Sequence, residues 1–208
     1  MCTQAVITAD IVNSTKLTAA KEKLLLKKLR SVLKLYQFEF YRGDSFQVLL
    51  KNANEALQVA LMCRTAAISL SELDELIISD VKVSIGIGQA ELSPKSLSTA
   101  KGEAFILSGR SFDEMIKFGK RLSITTNNIL ANEGLQVIAD YLNSIFFSMT
   151  GKQATVIFEL LKGQTQQEVA IKLSRSKSTI NQHVGAGRWP EIEKLVQQYK
   201  NITNQISL

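Results

Sequence analysis

Only two cysteines and a single histidine occur in this chain of 208 residues. Cys2 and Cys63 cannot build a disulfide framework or a cysteine zinc site. His183 has neither a second histidine nor a nearby cysteine with which to share a metal. No apolar run approaches the roughly 20 residues needed to cross a bilayer, so no membrane partner is expected. The N-terminus enters strand-like sequence directly, with no basic n-region and no small-residue cleavage site. That gives no secretory signal, and the cytoplasm is the default address. Internal repeats and low-complexity segments are absent as well. What is present, 45% hydrophobic and 21% charged residues, describes a soluble globular protein of one or two domains.

The net charge of +6 is unevenly placed. Between 162 and 188, Lys162, Lys172, Arg175, Lys177 and Arg188 are opposed by Glu168 alone. A solvated helix face gives such a bias by chance, and a nucleic-acid footprint gives it by design.

Thr3–Val12 is β-branched and apolar, as a strand requires. Asn13, Ser14 and Thr15 then offer caps for a helix over Lys16–Lys34, where leucines recur at helical spacing. "LYQFEFYRGDSFQVLL" reads as two strands around Arg42-Gly43-Asp44, a hairpin turn. Ala53–Leu70 is helical, "DVKVSIGIGQA" is a strand, Gly102–Gly119 is helical and "RLSITT" is a short last strand. The order β-α-β-β-α-β predicts a ferredoxin-like antiparallel sheet with helices on one face, the other face or the strand ends being free for a site. Beyond 132 the strands stop. Helices are predicted over Asn132–Ser148, Lys152–Leu161, Gln166–Leu173, Lys177–Ala186 and Pro190–Tyr199, with Pro190 at a helix start. The fold class is therefore α+β followed by an all-α unit, with domains over 1–149 and 150–208.

The second unit fits a helix-turn-helix. Thr165 caps its second helix, whose Val169, Ala170 and Leu173 face inward, and Ser176 caps the third, where Ile180 and Val184 do so. Lys177, Ser178, Thr179, Asn181, Gln182 and His183 then face outward, polar groups suited to base edges and phosphates. With Thr165, Ser176 and Arg188 they form the expected contact set for double-stranded DNA. "LLKGQTQQEVAIKLSRSKSTINQHV" resembles the helix-turn-helix of sigma-factor region four and of response-regulator output domains. The alternative is a helical bundle that merely packs on the first domain.

In the first unit, Asp10 interrupts the apolar run "VITADIVNST". Taking a carboxylate out of water costs on the order of several kcal/mol unless donors or a cation compensate it. The hairpin turn carrying Asp44 lies beside it in this topology. Two converging carboxylates repel each other unless a cation stands between them, and Mg²⁺ takes carboxylate together with phosphate oxygens. Asp10 and Asp44 are therefore candidate metal ligands. Equally, Asp44 suits a turn and Asp10 suits organising the 13–15 loop by hydrogen bonds. Gly86 and Gly88 allow close backbone approach or mark a bulge.

"ADIVNST", "YRGDSF", "VKVSIGIG" and "GEAFILSGR" fall in the order of the class III nucleotide cyclase motifs. That resemblance implies that Asp10 and Asp44 bind metal and that Arg110 stabilises a phosphoryl transition state. Two positions depart from the pattern: Ile106 replaces an asparagine and Phe40 a base-selecting lysine. Together with the C-terminal helices, "ITADIVNS", "YRGDSFQVLL", "VSIGIG" and "GEAFILSGRSFD" resemble the SatD family of bacterial proteins. This implies a degenerate cyclase-like domain fused to a DNA reader. The functional expectation is a homodimeric DNA-binding regulator that senses a nucleotide or other phosphate compound with Mg²⁺. Asn13, Ser14, Thr15 and Arg110 would contact the phosphate. A two-metal enzyme and a metal-free scaffold are the alternatives.

Overall fold

The computed structural model describes residues 3–41, 43–71, 79–91 and 96–206. Alternation along β1 (Gln4–Val12) sends Ala5, Ile7, Ala9 and Ile11 into the main core and leaves Val6, Thr8 and Asp10 on the other face. β1 is central. It pairs antiparallel with β3 (Ser45–Leu50) on one side and β4 (Asp80–Gly88) on the other. β2 (Gln37–Tyr41) pairs with β3, giving the order β2-β3-β1-β4 that the ferredoxin-like topology requires. β5 (Leu122–Thr126) adds to β4 in parallel, so the sheet is mixed rather than wholly antiparallel.

Helix α1 (Ala19–Leu33) begins three residues later than the sequence suggests. Thr18 caps it through Lys21 N–H, while Ser14–Lys16 forms a separate 3-10 turn. α1 and α2 (Ala56–Ile68) bury Leu25, Leu29, Leu57 and Leu61 in the main core, on the face carrying Ile7 and Ile11. The expectation that helices lie on one face only is wrong. α3 (Glu103–Lys117), which leads from β4 into the parallel β5, packs on the opposite face against β4, β5 and β1. Gly86 permits this. A Cβ there would stand 2.3 Å from the Ala104 carbonyl oxygen and 2.5 Å from the Ser108 nitrogen.

α4 (Ile129–Phe147), capped by Asn128, lies over β5. Four helices follow: α5 (Gly151–Leu161), α6 (Gln166–Lys172), α7 (Lys177–Ala186) and α8 (Trp189–Ile206). α4 starts three residues earlier than expected, and α8 runs on past Tyr199. The chain breaks between α4 and α5, where Thr150 and Gln153 close a capping box. One apolar core nevertheless continues across that break, from Ile7 and Leu57 to Ile157, Val184 and Tyr199. Buried Tyr199 donates its hydroxyl to the Ala53 carbonyl at 2.8 Å, and Gln58 Nε2 donates to the Leu161 carbonyl at 2.6 Å.

A buried ionic cluster ties α2, β4, β5 and α4 together. Asp80, at the start of β4, and Arg64 of α2 are both fully enclosed. Arg64 Nε and Nη2 reach the two carboxylate oxygens of Asp80 at 3.1 and 2.8 Å, and Arg121 Nη1 adds a third contact at 3.1 Å. Val81 N–H donates to Oδ1 at 2.7 Å. Arg64 also lies 4.5 Å over the Phe146 ring of α4. Removing one partner from such a buried pair costs about 3–5 kcal/mol, because the other charge is left uncompensated. Asp80→Asn should therefore lower the unfolding free energy by about that much. Urea titration measures it, and a loss below about 1 kcal/mol, the worth of a surface pair, would remove the cluster from this role.

Candidate functional site

The sheet brings Asp10 and Asp44 together. Asp10 lies opposite Ser45 of β3 and opposite Lys82 of β4, and Ile11 N–H donates to the Asp44 carbonyl at 3.1 Å. Gly43, at φ 90°, supplies the left-handed residue of the short β2–β3 connection. Arg42 lies outside the described residues. Ser45 Oγ donates to Asp10 Oδ1 at 2.8 Å, and Ser14 Oγ donates to Asp44 Oδ2 at 2.8 Å. Asn13 takes φ 57°, a left-handed conformation that asparagine tolerates, and this turns Ser14 towards the hairpin. Each half-buried carboxylate thus has one oxygen held by a serine hydroxyl. No ion pair joins Asp10 to Lys82 among the described residues.

Nor do three or more His, Cys, Asp or Glu side chains cluster as a metal cage among the described residues. Two carboxylates carried by neighbouring backbone positions, each with one oxygen not held by a serine, are the donor type that suits Mg²⁺, which binds one or two carboxylates and completes its shell with water and phosphate oxygens. When bound, such an ion would supply positive charge for phosphate oxygens at the sheet rim.

Beside the pair, the same face of the sheet is polar. Tyr41 Oη donates to Glu39 and to Gln47, both at 3.3 Å; Gln47 Nε2 donates to Thr8 Oγ1 at 3.3 Å; and Thr8 shares a 3.0 Å hydrogen bond with Ser108 of α3. Ser84, next to Thr8 in register, buries a hydroxyl that has no partner among the described residues. The 97–99 turn closes the outer end, where Ser96 Oγ and Leu97 N–H donate to Glu39 at 2.7 and 2.8 Å.

Not every expected residue reaches this place. Asn13, Ser14 and Thr15 do not open a long helix; Asn13 precedes a three-residue 3-10 turn, Ser14–Lys16, and the Ser14 side chain bonds to Asp44. Arg110 sits on the exposed side of α3, about 200° around the helix from Ser108, which faces the sheet. It does not join Asp10 and Asp44 within one chain. Ile106 is 54% exposed on the same outer surface. Phe40 is a packing residue, with its ring 5.0 Å from Phe46 and under the Arg30 guanidinium at 4.8 Å. The sequence reading missed Ser45 and Lys82, which only the strand register places next to Asp10.

The C-terminal helices make a second polar surface. Ser174 at φ 51° turns the chain from α6 to α7. Thr165 and Glu168 form a capping box on α6, and the Ser176 hydroxyl accepts Thr179 N–H at 3.1 Å on α7. Val169, Ala170, Ile180 and Val184 are buried. Lys177, Ser178, Asn181 and Gln182 are exposed along α7, while Thr179 and His183 are half-buried on its flank. Arg188 lies off this surface: at φ 56°, it pairs with Glu191 at 3.1 Å and donates to the Tyr141 hydroxyl while stacking on its ring.

No protein-family model and no curated protein matches the chain. Among solved structures, it is similar to the active GGEEF domain of a diguanylate cyclase from Vibrio cholerae, at 15% identity over 59% of this chain and 83% of that one, with a TM-score of 0.43. It is also similar to a bacterial light-regulated adenylyl cyclase, at 14% identity over 60% of this chain and 76% of that one, TM-score 0.44. The adenylyl cyclase CyaB from P. aeruginosa aligns at 16% identity over 54% of this chain and 71% of that one, TM-score 0.40. Superpositions this loose carry no argument, and the fold rests on the strand order and register above. The SatD resemblance rests on its motifs alone.

Glu159 ties α6 to α5. Lys172 and Lys162 approach its Oε2 at 2.8 and 3.0 Å. Burial by itself raises the carboxyl pKa, but hydrogen bonds and attraction from the two lysines outweigh it and hold the carboxyl below its usual range. A depressed pKa stabilises the fold above the unfolded-state value, and that contribution fades as pH falls through the folded one. Glu159→Gln should therefore lower the melting temperature at pH 7 and lower it less at pH 3. An equal loss at both pH values would show that shape, not charge, is what Glu159 contributes.

Proposed function

We propose that this chain is a DNA-binding regulator of the SatD type. Residues 150–208 read DNA, and residues 1–149 bind a phosphate-containing ligand with Mg²⁺. The observation that carries this reading is α7. It is capped by Ser176, anchored by Ile180 and Val184, and joined to α6 by a tight turn, and it presents Lys177, Ser178, Asn181 and Gln182 to solvent. A helix-turn-helix places the N-terminal part of its second helix in the major groove in this way. Asparagine and glutamine make bidentate contacts to adenine, while lysine and the hydroxyls serve phosphates and guanine. Thr165 and Ser176 hold the helix starts near the backbone, with Thr179 and His183 on the flank of α7.

In the first unit Asp10 and Asp44 hold the metal and Ser14 lies beside it. Two copies of the chain in the cytoplasm would present two α7 helices to successive half-sites. The departures at Phe40 and Ile106 favour sensing over catalysis. A two-metal nucleotide enzyme is the second reading, which the adjacency of Asp10 and Asp44 supports.

Two measurements test these assignments. The protein should retard duplex DNA in gels, with affinity falling steeply as salt rises. Asn181→Ala or Gln182→Ala should cost about 1–3 kcal/mol on the preferred site while sparing random duplex. No retardation at low salt would end the regulator reading. Separately, Mg²⁺ with one member of a nucleotide panel should raise the melting temperature, and Asp10→Asn should abolish the rise. A nucleotide shift that survives without Mg²⁺ and in Asp10→Asn would exclude the metal-dependent site, and turnover of ATP or GTP would favour the enzyme.

A further inference from the structure

Between α5 and α7 lies a cleft of about 320 Å³. Its floor is apolar, formed by buried Val156 and Ile180. Its polar lining is Lys152, Thr155, Arg175, Thr179 and His183, with no carboxylate among them. Lys152 and Arg175 are both exposed, and neither side chain has a hydrogen bond or ion pair among the described residues. Lys162 and Lys172 differ in that respect, since both are engaged by Glu159. The Thr155 hydroxyl donates to the Gly151 carbonyl at 2.8 Å and Thr179 shares a 2.9 Å hydrogen bond with Ser176, so both hydroxyls are engaged within the helices.

We propose that this cleft is a phosphate site in which Lys152 and Arg175 grip the oxygens and His183 lines the wall. Arginine's planar fork and lysine's mobile ammonium are complementary ways of holding a phosphate. The apolar floor lowers the competition from water and carries the sugar or other body attached to it. Two sources can supply the group: the backbone of a duplex lying along α7, or a free phosphate compound. The first rests on the regulator reading; the second does not.

The test compares wild type with Lys152→Ala and Arg175→Ala in the full chain. Both side chains are exposed, and unchanged circular-dichroism melts check that folding is intact. Each backbone phosphate contributes about 0.9 to the salt slope of duplex binding, which makes one contact worth roughly eightfold at 0.1 M salt. If DNA supplies the phosphate, each variant binds every duplex about that much more weakly, and its slope falls by about one. Pyrophosphate, titrated into wild type and followed by amide NMR shifts, reads the second source. Shifts confined to the cleft and lost in both variants establish a free-phosphate site, even if no duplex is retarded. Should wild type bind DNA while both variants keep its slope, and should pyrophosphate shift nothing in the cleft, the phosphate site is overturned and the regulator reading stands. Absence of both retardation and pyrophosphate shifts in wild type overturns both.

Discussion

The buried carboxylate of Asp80 is the constraint on which this architecture turns. Enclosing it costs several kcal/mol in lost hydration, and two guanidinium groups and a backbone N–H offset that cost. The geometry admits little slack. Arg64 reaches from α2 with a two-point grip, Arg121 comes from the residue before β5, and Asn143 of α4 accepts from Arg121 N–H and donates to the Leu122 carbonyl. Four elements are thereby fixed relative to one another. An apolar cluster of the same volume would hold them as firmly, but through many interchangeable contacts.

That placement divides the sheet into unlike faces. On one, Ile7, Ile11, Val83, Ile85 and Ile124 meet α1, α2 and α4 in a dry core. On the other, Val6, Leu49, Leu97 and Ala104 form a smaller apolar cluster flanked by Tyr41, Ala90 and Phe105, and α3 also meets Gly86 and a row of hydroxyls. A helix seated on backbone and hydroxyls gains little from apolar burial at about 25 cal/mol/Å². Its position depends on directional bonds such as Thr8 to Ser108 and Ser111 to Ser123. The polar face is thus the part of the sheet least committed to packing, and it is where Asp10 and Asp44 lie.

What the sequence discloses follows from the range of the forces involved. Alternation in "VITADIV" marks a strand and isolates Asp10 as its anomaly, because that signal is local. Helix periodicity and caps place α5, α6 and α7 almost to the residue for the same reason. Competing caps mislead: Asn13, Ser14 and Thr15 read as the start of α1, but Asp44 engages Ser14 and leaves Thr18 to cap the helix. Long-range pairing is not legible at all. Lys82 and Ser45 become neighbours of Asp10 only through register, and Arg64 reads as one polar residue in an alanine-rich helix until Asp80 meets it. Arg110 lies on the exposed side of α3, since helix phase, not spacing along the chain, decides which way it faces.

The C-terminal helices cannot be treated as a reader on a flexible tether. Tyr199 and Thr203 of α8 bond to Ala53 and Asn54 in the 3-10 turn just before α2, and α5 lies along α2, which also meets β1 and β4. Only one helix therefore separates the strand carrying Asp10 from the bundle carrying α7. Close-packed interiors transmit displacement but resist gradual deformation. On the proposed reading, a ligand at the sheet rim acts on α7 by shifting α2 as a body, or by changing how two such rigid chains assemble. Swinging of the two units about 150 would have to break the shared core first, and nothing in a small ligand's binding energy is suited to that.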